Sequence, residues 1–154
     1  KEDAYVHHRA KALGIPSYSF SYNEFKEGDK ILSVLLDYKI EFIVLAGFLL
    51  KVPNLLLENY PNKIINIHPA LLPKHGGKGM YGDWVHKKVI EMGDSKSGIT
   101  IHYVNEKYDD GEIIFQQSIP IDPEDTYKDV AEKVHKLEYT FFPRIIEEVI
   151  LGKR

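Results

Sequence analysis

The run Phe42-Ile43-Val44-Leu45-Ala46-Gly47-Phe48 constrains the fold of this chain more than any other segment. It is continuously apolar and holds β-branched residues, the pattern of a strand covered on both faces in a parallel sheet. A helical pattern, Lys30 to Tyr38 (KILSVLLDY), precedes it. A shorter one, Pro53 to Glu58, follows and carries a proline near its start. Lys63 to His68 then reads as a second buried strand. Helix and buried strand in alternation predict βαβ units, hence an α/β fold with an open, mostly parallel sheet and flanking helices.

The remaining elements are read in the same way. Glu2 to Leu13 has apolar residues at helical spacing and Gly14 as its C-cap, and Pro16 to Phe20 is expected to be a short strand. Trp84 to Met92 is a helix stopped by Gly93. Ser97 to Val104 alternates, with Ile99, Ile101 and Tyr103 on one face, and Ile113 to Ile119 is its expected antiparallel neighbour. Thr126 to Ile150 closes the chain as a long helix, capped by Asp125 or Thr126 and expected to kink or split at Pro143. The 154 residues suit a single domain. A doubly wound domain normally opens on a strand and a βα turn, whereas this sequence opens on a helix, so the first βα unit is expected to be missing.

Composition excludes several classes of function. A net charge of -3 and a pI near 6.2 are wrong for a general nucleic-acid binder, which carries a basic face. There is no cysteine, so disulfides and thiolate-bound metals are ruled out, and a cytoplasmic location is expected. No apolar stretch approaches the roughly 18 residues of a membrane span.

The strand ending at His68 carries the best candidate chemistry. In Asn66-Ile67-His68-Pro69, positions 66 and 68 face the same side of a strand, and Pro69 closes it. An amide donor beside a titratable imidazole, at the carboxyl end of a strand in an open sheet, suits a reaction that builds charge on a carbonyl oxygen and moves a proton. Tyr108-Asp109-Asp110-Gly111 is either a plain turn or the source of a carboxylate that orients His68 and raises its pKa. The glycines of His75-Gly76-Gly77-Lys78-Gly79-Met80-Tyr81-Gly82 satisfy G-x-G-x-x-G formally but follow a proline-ended loop, so they predict a mobile loop near the site, not a dinucleotide site. The seven histidines show no metal-binding spacing, and no metal is expected. His86 is placed on the surface of its helix, and the parity of His102 leaves it facing either the site or solvent.

Taken together, FIVLAGF, NIHPALLP, YDDGEII and VHKLEYTFFP resemble the glycinamide ribonucleotide formyltransferases, folate-dependent enzymes of purine synthesis. The resemblance runs from Glu2 to about Ile150 with the motifs in the family's order. It implies that the amine of glycinamide ribonucleotide attacks the formyl carbon of 10-formyltetrahydrofolate, the co-substrate, without a covalent enzyme intermediate. Asn66 would donate to the oxyanion, His68 would supply or shuttle the proton, and Asp109 would pair with His68. The folate would meet the backbone of Leu49, Leu50, Lys51 and Val52, the loop Asn105, Glu106, Lys107, Tyr108 and Asp109, and Asn66. The ribonucleotide would reach His135, Lys136, Leu137 and Glu138. The same three catalytic residues serve formyltetrahydrofolate deformylases, which release formate, and hydrolysis is the alternative.

Two departures from the family stand out. Its N-terminal strand and Gly-Ser-Asn-type phosphate loop are not among these residues, so the chain is expected to be one formyltransferase domain, 1–154, lacking that unit. The arginine that often lies in the Asn23 to Lys30 region is also absent, leaving Lys26 or Lys30 as its replacement. The expected partners are the two substrates, with neither nucleic acid nor membrane, in a monomer or homodimer.

Overall fold

The computed structural model describes residues 3–153. The elements are α1 (Tyr5–Ala12), α2 (Tyr22–Glu27), α3 (Asp29–Asp37), β1 (Ile43–Leu45), α4 (Asn54–Asn59), β2 (Ile64–His68), α5 (Asp83–Glu91), β3 (Lys96–Tyr103), β4 (Ile113–Pro120) and α6 (Tyr127–Ile150). The four strands form one sheet in the order β1-β2-β3-β4. β1 and β2 are parallel, joined through α4, while β2–β3 and β3–β4 are antiparallel. The sheet is therefore mixed: its parallel part is the β1–β2 pair, and its antiparallel strands fill the later half.

Helices cover both faces, and the period-2 alternation of β2 divides its side chains between them. Ile65 and Ile67 join Ile99 and Ile101 of β3 in a core against Val130, Val134, Ile145 and Val149 of α6. Ile64 faces the other way, into a second core with Ile31, Val52, Leu56 and Tyr60. β3 is buried on both faces from Ser97 to His102, so its apolar alternation does not mark a solvent-facing side.

Two helices begin with reciprocal capping boxes. The Ser21 hydroxyl accepts from the Glu24 N–H while Glu24 accepts from the Ser21 N–H, and Thr126 and Asp129 repeat the arrangement at α6. Thr126, not Asp125, is thus the cap of α6. The Asp125 carboxylate instead accepts from Lys133 at 2.5 Å.

Several expectations are corrected. Helix α1 starts at Tyr5, and Glu2 lies outside the described residues. Residues 16–20 form no strand and pair with no ladder among the described residues, and Phe20 packs on the second core. The run 42–48 yields only a three-residue strand, and Val44 is 37% exposed. Among the described residues β2 alone pairs with β1, so its second edge and part of one face stay uncovered. Pro143 does not split α6, which is one helix of 24 residues. Proline removes the N–H that would bond the Tyr139 carbonyl, and both residues border the cleft described next.

Candidate active site

Asn66 and His68 project from the same face of β2, and Pro69 ends the strand directly after them. Across the antiparallel pair, Asn66 faces His102 and His68 faces Thr100. The turn that follows is fixed by Thr100, whose hydroxyl donates to the Ala70 carbonyl at 2.7 Å and accepts from the Leu72 N–H at 3.0 Å. Gln116 of β4 adds bonds to the Leu72 carbonyl and to Thr100 Oγ1. A cleft of about 500 Å³ opens at this strand end, within the usual size of a small-molecule site.

The proton positions follow from acceptor chemistry. His68 Nε2 lies 2.8 Å from the His75 carbonyl oxygen. A carbonyl only accepts, so Nε2 carries the hydrogen and Nδ1 is bare when the ring is neutral. Nδ1 sits 3.5 Å from Asp109 Oδ2. His102 has the opposite tautomer: its Nδ1 donates to the Tyr103 carbonyl at 2.8 Å, leaving Nε2 to accept from Asn66 Nδ2 at 3.3 Å. The Asp109 carboxylate also accepts from the Gly77 N–H at 2.9 Å and stands 3.7 Å from His102 Nε2.

Backbone geometry puts Asp109 there. Asp109 is left-handed, with φ of 52°, a conformation that aspartate tolerates better than most residues. At Gly111 a Cβ would come within 1.8 Å of the Tyr103 carbonyl oxygen, so only glycine lets the turn close against β3. At Gly76 a Cβ would press on Leu72 at 2.5 Å and on Asp109 at 3.2 Å. Tyr108 to Gly111 is therefore a turn that also brings the Asp109 carboxylate within 3.5 Å of His68 Nδ1.

Burial sets the charge state. It pushes the His68 pKa down, against the upward pull of Asp109 and of the His75 carbonyl, and the neighbouring His102 and His75 push it lower still. Asp109 thus acts in the expected direction, but the net shift is downward because desolvation prevails. Burial lowers His102 too, although the Tyr103 carbonyl and Asp109 oppose it. Both rings are neutral near pH 7. Burial raises the pKa of half-buried Glu138, with His135 opposing.

Most of the predicted residues meet in the cleft. Leu49, Leu50, Lys51, Val52, Asn66, His68, Asn105, Lys107, Tyr108, Asp109, His135 and Glu138 all line it. Glu106, Lys136 and Leu137 do not. Glu106 points to solvent from the loop. On α6 the cleft face is His135, Glu138, Tyr139 and Phe142, at i, i+3, i+4 and i+7. That spacing turns Leu137 toward the core and leaves Lys136 exposed and paired with Glu132 at 2.8 Å. Neither Lys26 nor Lys30 reaches the cleft, and Lys30 is engaged by Glu24 at 2.5 Å.

The sequence reading missed His86 as a site residue. It is 2% exposed and lines the cleft instead of the helix surface. Val89 and Ile90 stand three and four positions after it, a spacing that puts His86 in the inward stripe of α5. The loop from Gly77 to Gly82 borders the cleft as well. Among the described residues, no group of three or more His, Asp or Glu side chains could hold a metal ion.

Residues 1–146 match the formyl transferase family. The chain belongs to that family. It is 41% identical over 150 residues to the chloroplastic phosphoribosylglycinamide formyltransferase of Arabidopsis thaliana, covering 92% of this chain and 51% of that protein. It is 36% identical over 154 residues to phosphoribosylglycinamide formyltransferase of Bacillus subtilis, covering 97% of this chain and 76% of that protein. The chain thus spans about half of the first relative and three quarters of the second. Among solved structures, phosphoribosylglycinamide formyltransferase of Bacillus halodurans superposes with a TM-score of 0.90 at 31% identity, covering all of this chain and 79% of that one. No described helix of this formyl transferase family member is long and apolar enough to cross a membrane.

Proposed function

We propose that this protein transfers the formyl group of 10-formyltetrahydrofolate to the amine of glycinamide ribonucleotide. The observation that carries the proposal is one juxtaposition. Asn66 Nδ2 and the bare Nδ1 of His68 stand on the same face of β2, with Asp109 3.5 Å from that nitrogen, on the wall of a cleft sized for a small molecule. The folate supplies an activated formyl carbon, and this chain's residues manage charge and protons around it. The apolar side chains of Leu49, Leu50 and Val52 and the loop from Asn105 to Asp109 suit a flat heterocycle.

Asn66 gives one amide hydrogen to His102 and keeps the other for the oxygen on which negative charge develops. His68, neutral at pH 7, takes the proton that the attacking amine must lose and returns it to the folate nitrogen that leaves. One C–N bond forms, one breaks, and the proton count balances. Asp109 stabilises the imidazolium while it carries that proton. Glu138, with His135 beside it, accepts from the amine or ribose of the ribonucleotide at the α6 wall. The names of the relatives support transfer over hydrolysis. The cysteine-free sequence is compatible with a reducing compartment such as the cytoplasm.

His68→Ala tests the assignment. Turnover is expected to fall roughly 10²–10⁴-fold, the usual contribution of a positioned acid-base group, with folate affinity nearly unchanged. Unchanged turnover would remove His68 from the chemistry.

A further inference from the structure

The proton-carrying nitrogen of His68 is chosen by a partner that formyl transfer does not itself require. Neutral imidazole can place its hydrogen on either nitrogen, and a carboxylate is the stronger acceptor. Asp109 would therefore draw the hydrogen onto Nδ1, leaving His68 unable to accept a proton there. The His75 carbonyl prevents this by holding the hydrogen on Nε2 at 2.8 Å.

That carbonyl is itself held from outside the cleft. The His75 backbone is left-handed, with φ of 58°, and its side chain turns away from the cleft and is only 5% exposed. Its Nε2 lies 2.6 Å from Asp94 Oδ2, in the turn between α5 and β3. Asp94 accepts only, so His75 Nε2 carries the hydrogen of this bond. Lys74 occupies the other carboxylate oxygen of Asp94. Two residues on, the Gly77 N–H binds Asp109, so the same loop touches both members of the His68–Asp109 pair. Asp94 does not line the cleft.

We propose that Asp94 and His75 are positioning residues that fix the tautomer of His68, keeping Nδ1 bare toward Asp109 by anchoring the loop whose carbonyl binds Nε2. Neither residue touches substrate. This inference rests on the reading of His68 as the proton carrier, but the tautomer can be measured without any substrate. The anchor is supported by the charge state of Asp94: burial pushes its pKa up, yet the hydrogen bonds and charges of Lys74 and His75 outweigh that and leave it lowered, so the carboxylate is ionised.

The test compares His75→Asn, Asp94→Ala and Asp94→Asn with the parent protein by ¹⁵N NMR of the histidine rings above pH 7. Asparagine tolerates the left-handed backbone at position 75 but is too short to reach Asp94. Asp94→Asn retains an acceptor for His75. In the parent, His68 should be protonated at Nε2 alone. In His75→Asn and Asp94→Ala, an Nδ1–H population should emerge. The kcat for formyl transfer should fall roughly ten- to a hundredfold, as expected for a misplaced reacting group, with the folate KM unchanged. The double variant should be no worse than either single one, and Asp94→Asn should restore much of the tautomer and the rate. A His68 ring that stays fully Nε2-protonated in both disrupting variants overturns the proposal. If the protein fails to formylate glycinamide ribonucleotide while the tautomer still responds, the function is refuted and the anchor stands.

Discussion

Asn66 Nδ2 lies 3.3 Å from Nε2 of His102, and the bond of His102 Nδ1 to the Tyr103 carbonyl makes Nε2 the accepting nitrogen. An asparagine amide can turn over, exchanging donor for acceptor, unless a partner of fixed polarity opposes it. His102 is that partner. It keeps the NH₂ group of Asn66 on the side where charge develops in the proposed reaction.

Asn66→Ala should lower kcat roughly 10²–10³-fold, the loss typical of one oxyanion donor. His102→Phe keeps the aromatic bulk but frees the amide, and it should lower kcat in the same direction by a smaller factor. In the double variant the effects should not add, because both act through one hydrogen bond. Steady-state kinetics of the three proteins checks this, and full additivity would separate the two residues.

Asp109→Asn keeps an oxygen for the Gly77 N–H but removes the charge beside His68. Asp109 pulls the His68 pKa upward against burial, so its neutralisation should lower that pKa further. The acidic limb of the kcat profile should move to lower pH while the maximum falls. An NMR titration in which the His68 pKa does not move would dissolve the partnership.

Glu138 is half-buried on the α6 wall, where losing a charged acceptor should weaken binding of the amine substrate. Glu138→Gln should raise the KM for glycinamide ribonucleotide roughly tenfold, the cost of one charge-assisted hydrogen bond, and leave the folate KM alone. Equal effects on both KM values would place Glu138 elsewhere in the mechanism.

Acid should destabilise the fold through its buried imidazoles. Burial, with His135 adding to it, lowers the His86 pKa to about 4, and burial lowers His68 and His102 as well. The unfolded chain protonates these rings near pH ~6.5. Between the two values the unfolded state binds more protons, so stability rises with pH there. The contribution is complete above the unfolded pKa and is lost as pH falls from there to the folded values. Urea midpoints should drop from pH 7 to pH 5, and His86→Leu should flatten that drop. A pH-independent midpoint in the parent would contradict the buried neutral rings.

The residues differ in how far the sequence made them legible. Period 2 and a terminal proline were enough for Asn66 and His68, because strand parity is a local property. Asp109 was legible as a turn, but its reach to His68 depends on the left-handed backbone and on Gly111 packing against Tyr103. Parity placed His102 off the apolar face, and only the register with Asn66 decided between cleft and solvent. Residues 16–20 had strand composition without a strand to pair with, which no local pattern can reveal. The His75–Asp94 bond spans 19 residues between two loops and left no periodic trace.

The most direct measurement follows an isotopic label in the formyl group of 10-formyltetrahydrofolate, with and without glycinamide ribonucleotide. The proposed mechanism predicts that the label passes to the ribonucleotide, that little formate forms without it, and that His68→Ala stops the transfer. Release of labelled formate at the same rate in the absence of the amine would contradict formyl transfer and make the protein a hydrolase.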